Sequence, residues 1–340
     1  MTEKQGGSDV RANTTRAVAL GKSGPAQEYA LTGHKWFCSA PMSDAFLVLA
    51  QTPLGPSCFL VPRFRPDGSK NAISLQRLKD KLGNRSNASS EVEFDGTSGW
   101  LIGEGGRVLN AILEMVNFTR LDCILGAAAG MRQAVAQATH HAAYRMAFGK
   151  RLVDQPAMQN VLADLALESE AATPLGKYWV CKRAAGHAAE ALECLGGNGY
   201  VEESIMPRVY REAPLNSLWE GSGNVNALDV LRAMTKECGV LDSFFFEVRA
   251  ARGADVTLDR AVHALEKRLA DPSDAELRAR RIVEEMAVVL QAALLVRTSP
   301  SYVSEAFIAA RLGADRGRVY GTLGSDAAIR ALVRRATPAL

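Results

Sequence analysis

The sequence predicts an α+β fold: an antiparallel β-barrel or sandwich domain, then a long-helix bundle with a helical carboxyl-terminal extension. Three observations predict it. Short β-rich runs divided by turn residues fill residues 15–102; an apolar i, i+3, i+4 pattern starts past "GEGG" at 103–106 and lasts for many turns; and from residue 236 onward the chain is helical again, with dense mixed charge. The boundaries follow as 1–103, 104–235 and 236–340.

The strand region contains "HKWFCS", "AFLVLAQT" and "PSCFLVPRF", separated by Gly, Pro, Asp and Ser. "SSEVEFDG" alternates, with Val92 and Phe94 on one face and Glu91 and Glu93 on the other. Roughly five to seven such runs in about ninety residues give a closed or stacked antiparallel sheet.

The helical region opens with Leu109, Ile112, Leu113, Val116, Leu121, Ile124, Leu125, Ala128, Met131 and Val135. That spacing predicts one helix over about residues 108–146, a length that belongs to a long-helix bundle. "AFGKRL" breaks it, and helical patterns return near 155–172 and 177–195, the second closed by glycine C-cap chemistry in "LGGNGY". In the tail, "AELRARRIVEEMAVVLQAALLV" (275–296) reads as an amphipathic, solvated bundle helix.

Composition narrows the function classes. The 340 residues are 47% hydrophobic and 23% charged, with a net charge of +3, which by itself nominates no nucleic-acid partner. No apolar run approaches the roughly 20 residues that span a bilayer. The six cysteines (Cys38, Cys58, Cys123, Cys181, Cys194, Cys238) form no C-x-x-C pair and sit among apolar neighbours, as buried free thiols do. A reducing, cytoplasmic setting is the expectation. The five histidines have no ligand spacing, so no metal is expected, and the adjacent His140 and His141 read as partly solvated helix surface. "MTEKQGGSDV" is neither a signal peptide nor a helix start; a chain opening on such a loop reads as one that has lost what came before it.

Four segments stand out as loops: 1–10, 33–40, 145–151 and 195–226. Read singly, each has an ordinary structural explanation as a turn, a strand, a helix corner or a C-cap. Within the last, "SLWEGSGNVN" sets Glu220 between a tryptophan and a Gly-Ser-Gly run. Such a carboxylate is either a catalytic base or the first-turn Glu of the following helix.

Taken in order, the segments resemble the flavin-dependent acyl-CoA dehydrogenase family. "MTEKQGGSDV" is similar to its T-E-x-x-x-G-S-D signature, "GHKWFCSA" to G-x-K-x-W-I-T-N, and "RMAFGKRL" to R-x-x-F-G-K. "ALECLGGNGY" is similar to G-G-N-G-[FY], and "LWEGSGNVN" to the [YW]-E-G-[ST] element. "MTEK", "KYWVCKR" and "PRVYREAPLNSLWEGSGNVNALDVLRA" resemble the AidB-like, alkylation-response branch, whose helical carboxyl-terminal extension fits 236–340.

The resemblance implies an FAD-dependent oxidoreductase acting on the CH–CH group of an acyl-CoA, with Glu220 as the base that takes the α-proton. A carboxylate reaches that basicity when desolvated, and Trp219 with two glycines suits such a site. Relatives with the base on the long helix carry it where this chain has Thr119 in "FTRLD". The same resemblance assigns Met1, Thr2, Ser8, Phe37, Cys38 and Ser39 to flavin contact, with Phe37 in place of a family tryptophan. It assigns Leu218, Gly221, Ser222 and Asn224 to the same cofactor. Arg145, Phe148 and Gly197 complete the FAD contacts, the first two on a neighbouring subunit's FAD. It further implies a homo-oligomer, a tetramer in the family, and an electron acceptor such as an electron-transfer flavoprotein.

Two departures accompany it. The family's amino-terminal helical domain is missing. Between Thr173 and Lys177, relatives have a longer helix, a loop and another helix start, where this chain has a tight turn at Pro174 and Gly176. A shortened product of a larger gene and a degenerate paralogue both fit. The alternative function is a duplex-DNA-binding damage-response protein with a vestigial flavin site, resting on Arg278, Arg280, Arg281, Arg330, Arg334 and Arg335. The tail's sixteen Lys/Arg against fourteen Asp/Glu make that binding weak unless folding gathers the arginines on one face.

Overall fold

The structure, a computed structural model, describes residues 1–172, 176–324 and 328–338, without the side chains of 108–111, 113, 114 and 172. It has two compact units, Met1–Thr119 and Arg120–Leu340. The turn expected at Pro174 lies outside the described residues.

The first unit is a barrel of strands β1 (Arg16–Ala19), β2 (Glu28–Cys38), β3 (Ala45–Thr52), β4 (Gly55–Pro62), β5 (Ile73–Leu78) and β6 (Ser90–Ile102). β6 closes it. Its 13 residues pair with β2 along one edge; on the other they pair with β5 and then β4. The ring needs one junction that is not antiparallel, which corrects the all-antiparallel expectation. β1 already forms a hairpin with β2, so its free edge meets β3 in parallel, at Arg16 and Gln51. Gly96 takes φ 65° at the register shift where Leu31 faces Thr97 and Thr32 faces Asp95, a bulge that bends β6 around the barrel. Alternation then does what the sequence predicts: Val92 and Phe94 are buried with Leu31, Phe59 and Val61, while Glu93 faces solvent.

The barrel's other core is polar. Glu3 is fully buried, and its carboxylate accepts from Lys35 Nζ at 2.6 Å, Thr15 Oγ1 at 2.6 Å, Thr14 N at 2.6 Å and Gln5 Nε2 at 2.9 Å. Burial pushes this carboxyl up, but the donors outweigh it and hold Glu3 well below the usual range. The linkage sign follows: the unfolded chain takes up a proton near pH 4.3 and the folded chain does not. Glu3 therefore stabilises the fold above about pH 5, and that contribution drains away as pH falls through 4 and below. Glu3→Gln is expected to lower the unfolding free energy at pH 7 by about 1.5–3 kcal/mol. Urea unfolding of both proteins checks this, with the difference shrinking as the pH is lowered from 5.

The second unit is helical. α1 (Val108–Tyr144) enters it from the first and matches the predicted long helix. A small hairpin, β7 (Met146–Ala147) and β8 (Lys150–Arg151), breaks the pattern at "AFGKRL". α2 (Pro156–Ala172) and α3 (Lys177–Glu193) have 17 residues each, about 25 Å against about 55 Å for α1. They leave part of its apolar stripe uncovered, so Leu121 and Leu125 are half exposed. Residues 195–226 are not one loop. α4 (Gly197–Tyr200), α5 (Met206–Glu212) and α6 (Leu215–Leu218) occupy them before α7 (Gly223–Lys236) begins. Pro207 starts α5 and Gly196, at φ 59°, turns the chain into α4. Likewise 33–40 is largely β2 rather than loop.

Beyond 236 lie α8 (Val240–Arg249), α9 (Val256–Ala270), α10 (Ala275–Thr298), α11 (Ser301–Leu312) and α12 (Ile329–Ala336). They share one core with α1, α2 and α3. α10 is not a solvated helix. Its Arg- and Glu-rich start and its last two residues face water; Ile282, Met286, Val289, Ala292 and Leu295 are buried because neighbouring helices pack around it. Gln291 donates to the Ala171 carbonyl at 2.7 Å, satisfying an orphan group at the end of α2. Cys58, Cys123, Cys181 and Cys194 are buried free thiols and Cys38 is half-buried, but Cys238 is exposed just past the end of α7 rather than in a core. His140 is exposed and His141 half-buried, as the sequence predicts.

Candidate active site

In the second unit, Glu220 sits in the turn between α6 and α7. Its φ is 54° and that of Gly221 is 98°, two successive left-handed residues. Glu220 carries a strain that only surrounding contacts can maintain. Those contacts are on the main chain. Lys177 Nζ donates to the carbonyls of Trp219 and Gly221, both at 2.5 Å, one on each side of Glu220. Arg120 Nε donates to the Glu220 carbonyl at 3.0 Å, and its Nη2 is fixed by Asp229 at 2.8 Å. Asn226 Nδ2 donates to the carbonyls of Gly221 and Ser222. Four consecutive carbonyls, from Trp219 to Ser222, are thus tied down, which fixes the backbone that carries the Glu220 side chain. A Cβ on Gly221 would lie 3.2–3.3 Å from Asn226, Val225 and Arg120, in a conformation that favours glycine anyway.

Lys177 is buried, and burial lowers its pKa, with the Glu220 charge among the influences opposing the shift. Trp219 packs on a small cluster with Cys123, Val180, Cys181 and Ala184, and its indole N–H donates to Asn216 at 3.2 Å. Burial raises the thiols of Cys123 and Cys181, the latter to about 12, so this wall is apolar and uncharged. Glu220 is half-buried beside it. The sequence reading missed Lys177, Arg120 and Asn226. One signal was available: a lysine as the first residue of a helix opposes the helix dipole and needs another reason to be there.

Around the turn, Leu218 and Asn224 are exposed and Ser222 is half-buried. Ser222 is the N-cap of α7, but its hydroxyl makes no capping bond. A Cβ on Gly223 would come within 2.8 Å of Lys182 and 3.3 Å of Arg280, so two cations flank the first turn of α7. That helix end suits an anionic group.

In the first unit, a cavity of about 200 Å³ is lined by Met1, Phe37, Cys38 and Ser39 together with Lys35 and apolar barrel residues. A β2 bulge creates it. Lys35 faces Val92 and Cys38 faces Ser90, so Trp36 and Phe37 oppose one residue, and the strand turns Phe37 outward. Thr2 is half-buried beside Met1, with its carbonyl accepting from Trp36 N at 2.9 Å, and Ser8 is exposed.

Three predicted residues lie elsewhere in the second unit. Arg145 and Phe148 follow the far end of α1, about 36 Å of helix beyond Arg120. Gly197 follows the far end of α3 from Lys177. Phe148 is 97% exposed at φ 52°, an apolar ring on a strained hairpin tip. Of the arginines considered for DNA, Arg278 donates to the main chain at Asp271, Arg280 to Asn224, Arg281 to Glu285 and Arg335 to Glu170. Arg330 and Arg334 are exposed. Among the described residues no group of His, Cys, Asp or Glu could hold a metal ion, and no helix is long and apolar enough to cross a membrane.

Residues 1–97 match the family model "Acyl-CoA dehydrogenase, middle domain". Residues 106–176 and 170–235 match "Acyl-CoA dehydrogenase, C-terminal domain". The chain is 50% identical over 300 residues to the AidB protein of Escherichia coli (strain K12), an alignment covering 81% of this chain and 55% of that protein. The chain thus spans about half the length of that relative. Among solved structures it resembles Caenorhabditis elegans ACDH-11 in complex with C11-CoA, at 28% identity and a TM-score of 0.79, covering 91% of this chain and 63% of that one. It shares its fold with an acyl-CoA dehydrogenase from Bacillus anthracis complexed with FAD, at 17% identity and a TM-score of 0.74, covering 100% of this chain and 72% of that one.

Proposed function

Because this chain belongs to the acyl-CoA dehydrogenase family, we propose that it is an FAD-dependent oxidoreductase of acyl-CoA thioesters, with Glu220 taking the α-proton. One observation carries the reading. Four successive carbonyls around Glu220 are fixed by Lys177, Arg120 and Asn226, which holds in one conformation the strained backbone that carries the carboxylate. Pre-organisation of that kind is what proton abstraction from a weak carbon acid requires.

The residues present fit FAD. Two cations and the free amide groups at the start of α7 suit a diphosphate, and the bulge-turned Phe37 offers a flat apolar face beside the Ser39 hydroxyl. FAD, when bound, supplies acceptance of the β-hydrogen as hydride. We assign its contacts on the family resemblance, unit by unit: Met1, Thr2, Ser8, Phe37, Cys38 and Ser39 in the first unit, and Leu218, Gly221, Ser222 and Asn224 in the second. Glu220 receives the α-proton on a carboxylate oxygen, and the uncharged wall of Trp219 and the two thiols limits the water that competes for it. The ACDH-11 complex with C11-CoA supports an acyl-CoA as substrate; the electron acceptor, assigned on the family resemblance, is an electron-transfer flavoprotein.

We assign Arg145 and Phe148, at the far end of α1 from Arg120, to the FAD of a second copy of the chain, and Gly197 to the remaining FAD contacts. Phe148→Gly is expected to relieve the left-handed strain and raise stability by about 0.5–1 kcal/mol. The same change weakens FAD retention about tenfold. Thermal unfolding without FAD and fluorescence titration with FAD read the two effects separately. The function itself is tested by adding FAD to the purified protein and desalting. Bound flavin that stays with the protein supports the proposal, and a colourless protein that takes up none removes it.

A further inference from the structure

A second, larger cavity in the helical unit lies beyond the start of α7 and shares only Arg280 with the surroundings of the Glu220 turn. It holds about 860 Å³ among α3, α9, α10, α11 and the segment after α11. Its apolar walls include Trp179, Leu265, Val289 and Leu312. Its charge is one-sided. Seven arginines line it, while Asp164, Glu284 and Glu285 line it and Glu168 backs it, an excess of three positive charges. The pairing is uneven too. Arg183 and Arg311 are committed to Asp164 and Glu168, and Arg268 and Arg281 share the single carboxylate of Glu285. Among the described residues Arg280, Arg316 and Arg318 have no carboxylate within ion-pair distance; Arg280 leans on the neutral Asn224 side chain, and Arg316 on the Arg311 carbonyl.

The remaining observation is the Tyr320 hydroxyl. It belongs to the cavity wall, is shielded from solvent, and makes no hydrogen bond among the described residues. A buried unpaired hydroxyl costs about 1–3 kcal/mol, a cost that a bound acceptor removes. Guanidinium groups favour phosphate and carboxylate oxygens because their donors are forked and permanently charged. The volume falls in the range of small-molecule sites, about 300–1,000 Å³, far beyond what a single inorganic ion fills.

We propose that this cavity binds a phosphate-bearing small organic anion of nucleotide size. Arg316 and Arg318 take the phosphates, Tyr320 donates to an oxygen of the ligand, and the Trp179 side supplies its apolar contact.

The test uses the full chain in saturating FAD, so that an adenosine phosphate cannot report the proposed flavin site. ADP and inorganic phosphate are titrated by equilibrium dialysis, with tryptophan fluorescence as a second signal. ADP is expected to bind saturably and at least tenfold more tightly than phosphate. The double variant Arg316→Gln with Arg318→Gln weakens ADP at least tenfold. Tyr320→Phe weakens it about threefold or more while leaving thermal stability unchanged or improved, since it deletes an unpaired hydroxyl. No saturable ADP binding, phosphate binding as tight as ADP, or ADP binding unchanged in the double variant would each overturn the proposal. Flavin retention in the same samples is read separately, so failure here is distinct from failure of the flavin site.

Discussion

Glu220→Gln should slow flavin reduction by an acyl-CoA about 10³-fold, equivalent to about 4 kcal/mol of barrier. Glutamine preserves the side chain's shape and loses its basicity. The fold of the turn is expected to survive, because Lys177, Arg120 and Asn226 hold main-chain carbonyls rather than the carboxylate. The visible spectrum of the bound flavin should therefore match that of the unsubstituted protein while anaerobic reduction by acyl-CoA fails. Stopped-flow absorbance measures both. Reduction at an undiminished rate would move the proton-abstracting role away from Glu220.

The largest effect on stability is expected from Arg311→Met. Asp164 and Glu168 are buried, and Arg311 bridges them at 2.6 and 2.8 Å while Arg183 holds Glu168 at 2.8 and 3.0 Å. Two carboxylates and two guanidiniums balance. Burial pushes Glu168 up, but Arg183 and Arg311 outweigh it and hold it at about 2. Removing Arg311 leaves one negative charge uncompensated in the core, at a cost of about 3–5 kcal/mol. The pH dependence has a definite sign. Glu168 is depressed in the folded chain, so its contribution is complete above about pH 5 and lost as pH falls toward 2. Chemical unfolding at pH 7 measures the loss, and Glu168→Gln added to Arg311→Met should recover part of it by restoring neutrality. A single variant as stable as the parent would show that the network is not a net contributor.

Much of the architecture was legible because it rests on short-range periodicity. The alternation in "SSEVEFDG" gave β6 its inner face, and the i, i+3, i+4 spacing gave α1 its extent. What escaped depends on residues far apart in the chain. Lys177 reaches carbonyls 42 and 44 residues away, and Arg311 reaches carboxylates 143 and 147 residues away. No local pattern encodes such pairs. Glu3 was hidden differently: in a polar opening segment it read as loop, and only the barrel's approach to Lys35 and Thr15 makes it a core residue. α10 was misread for a third reason. Its charged first turns dominate the pattern, whereas its buried part is apolar all round apart from Gln291 and so has no polar face to detect.

The site divides along the same line. Motif resemblance nominated Glu220 and the flavin contacts one by one, but not the clamp that fixes the turn. Whether that clamp serves proton abstraction is measured most directly by isotope exchange. A 3-thia acyl-CoA, which has no β-hydrogen to give up, is incubated with the FAD-loaded protein in deuterium oxide, and its mass is followed. The account predicts deuterium entering the α-position with the unsubstituted chain and not with Glu220→Gln. Exchange at the same rate in both proteins would contradict it.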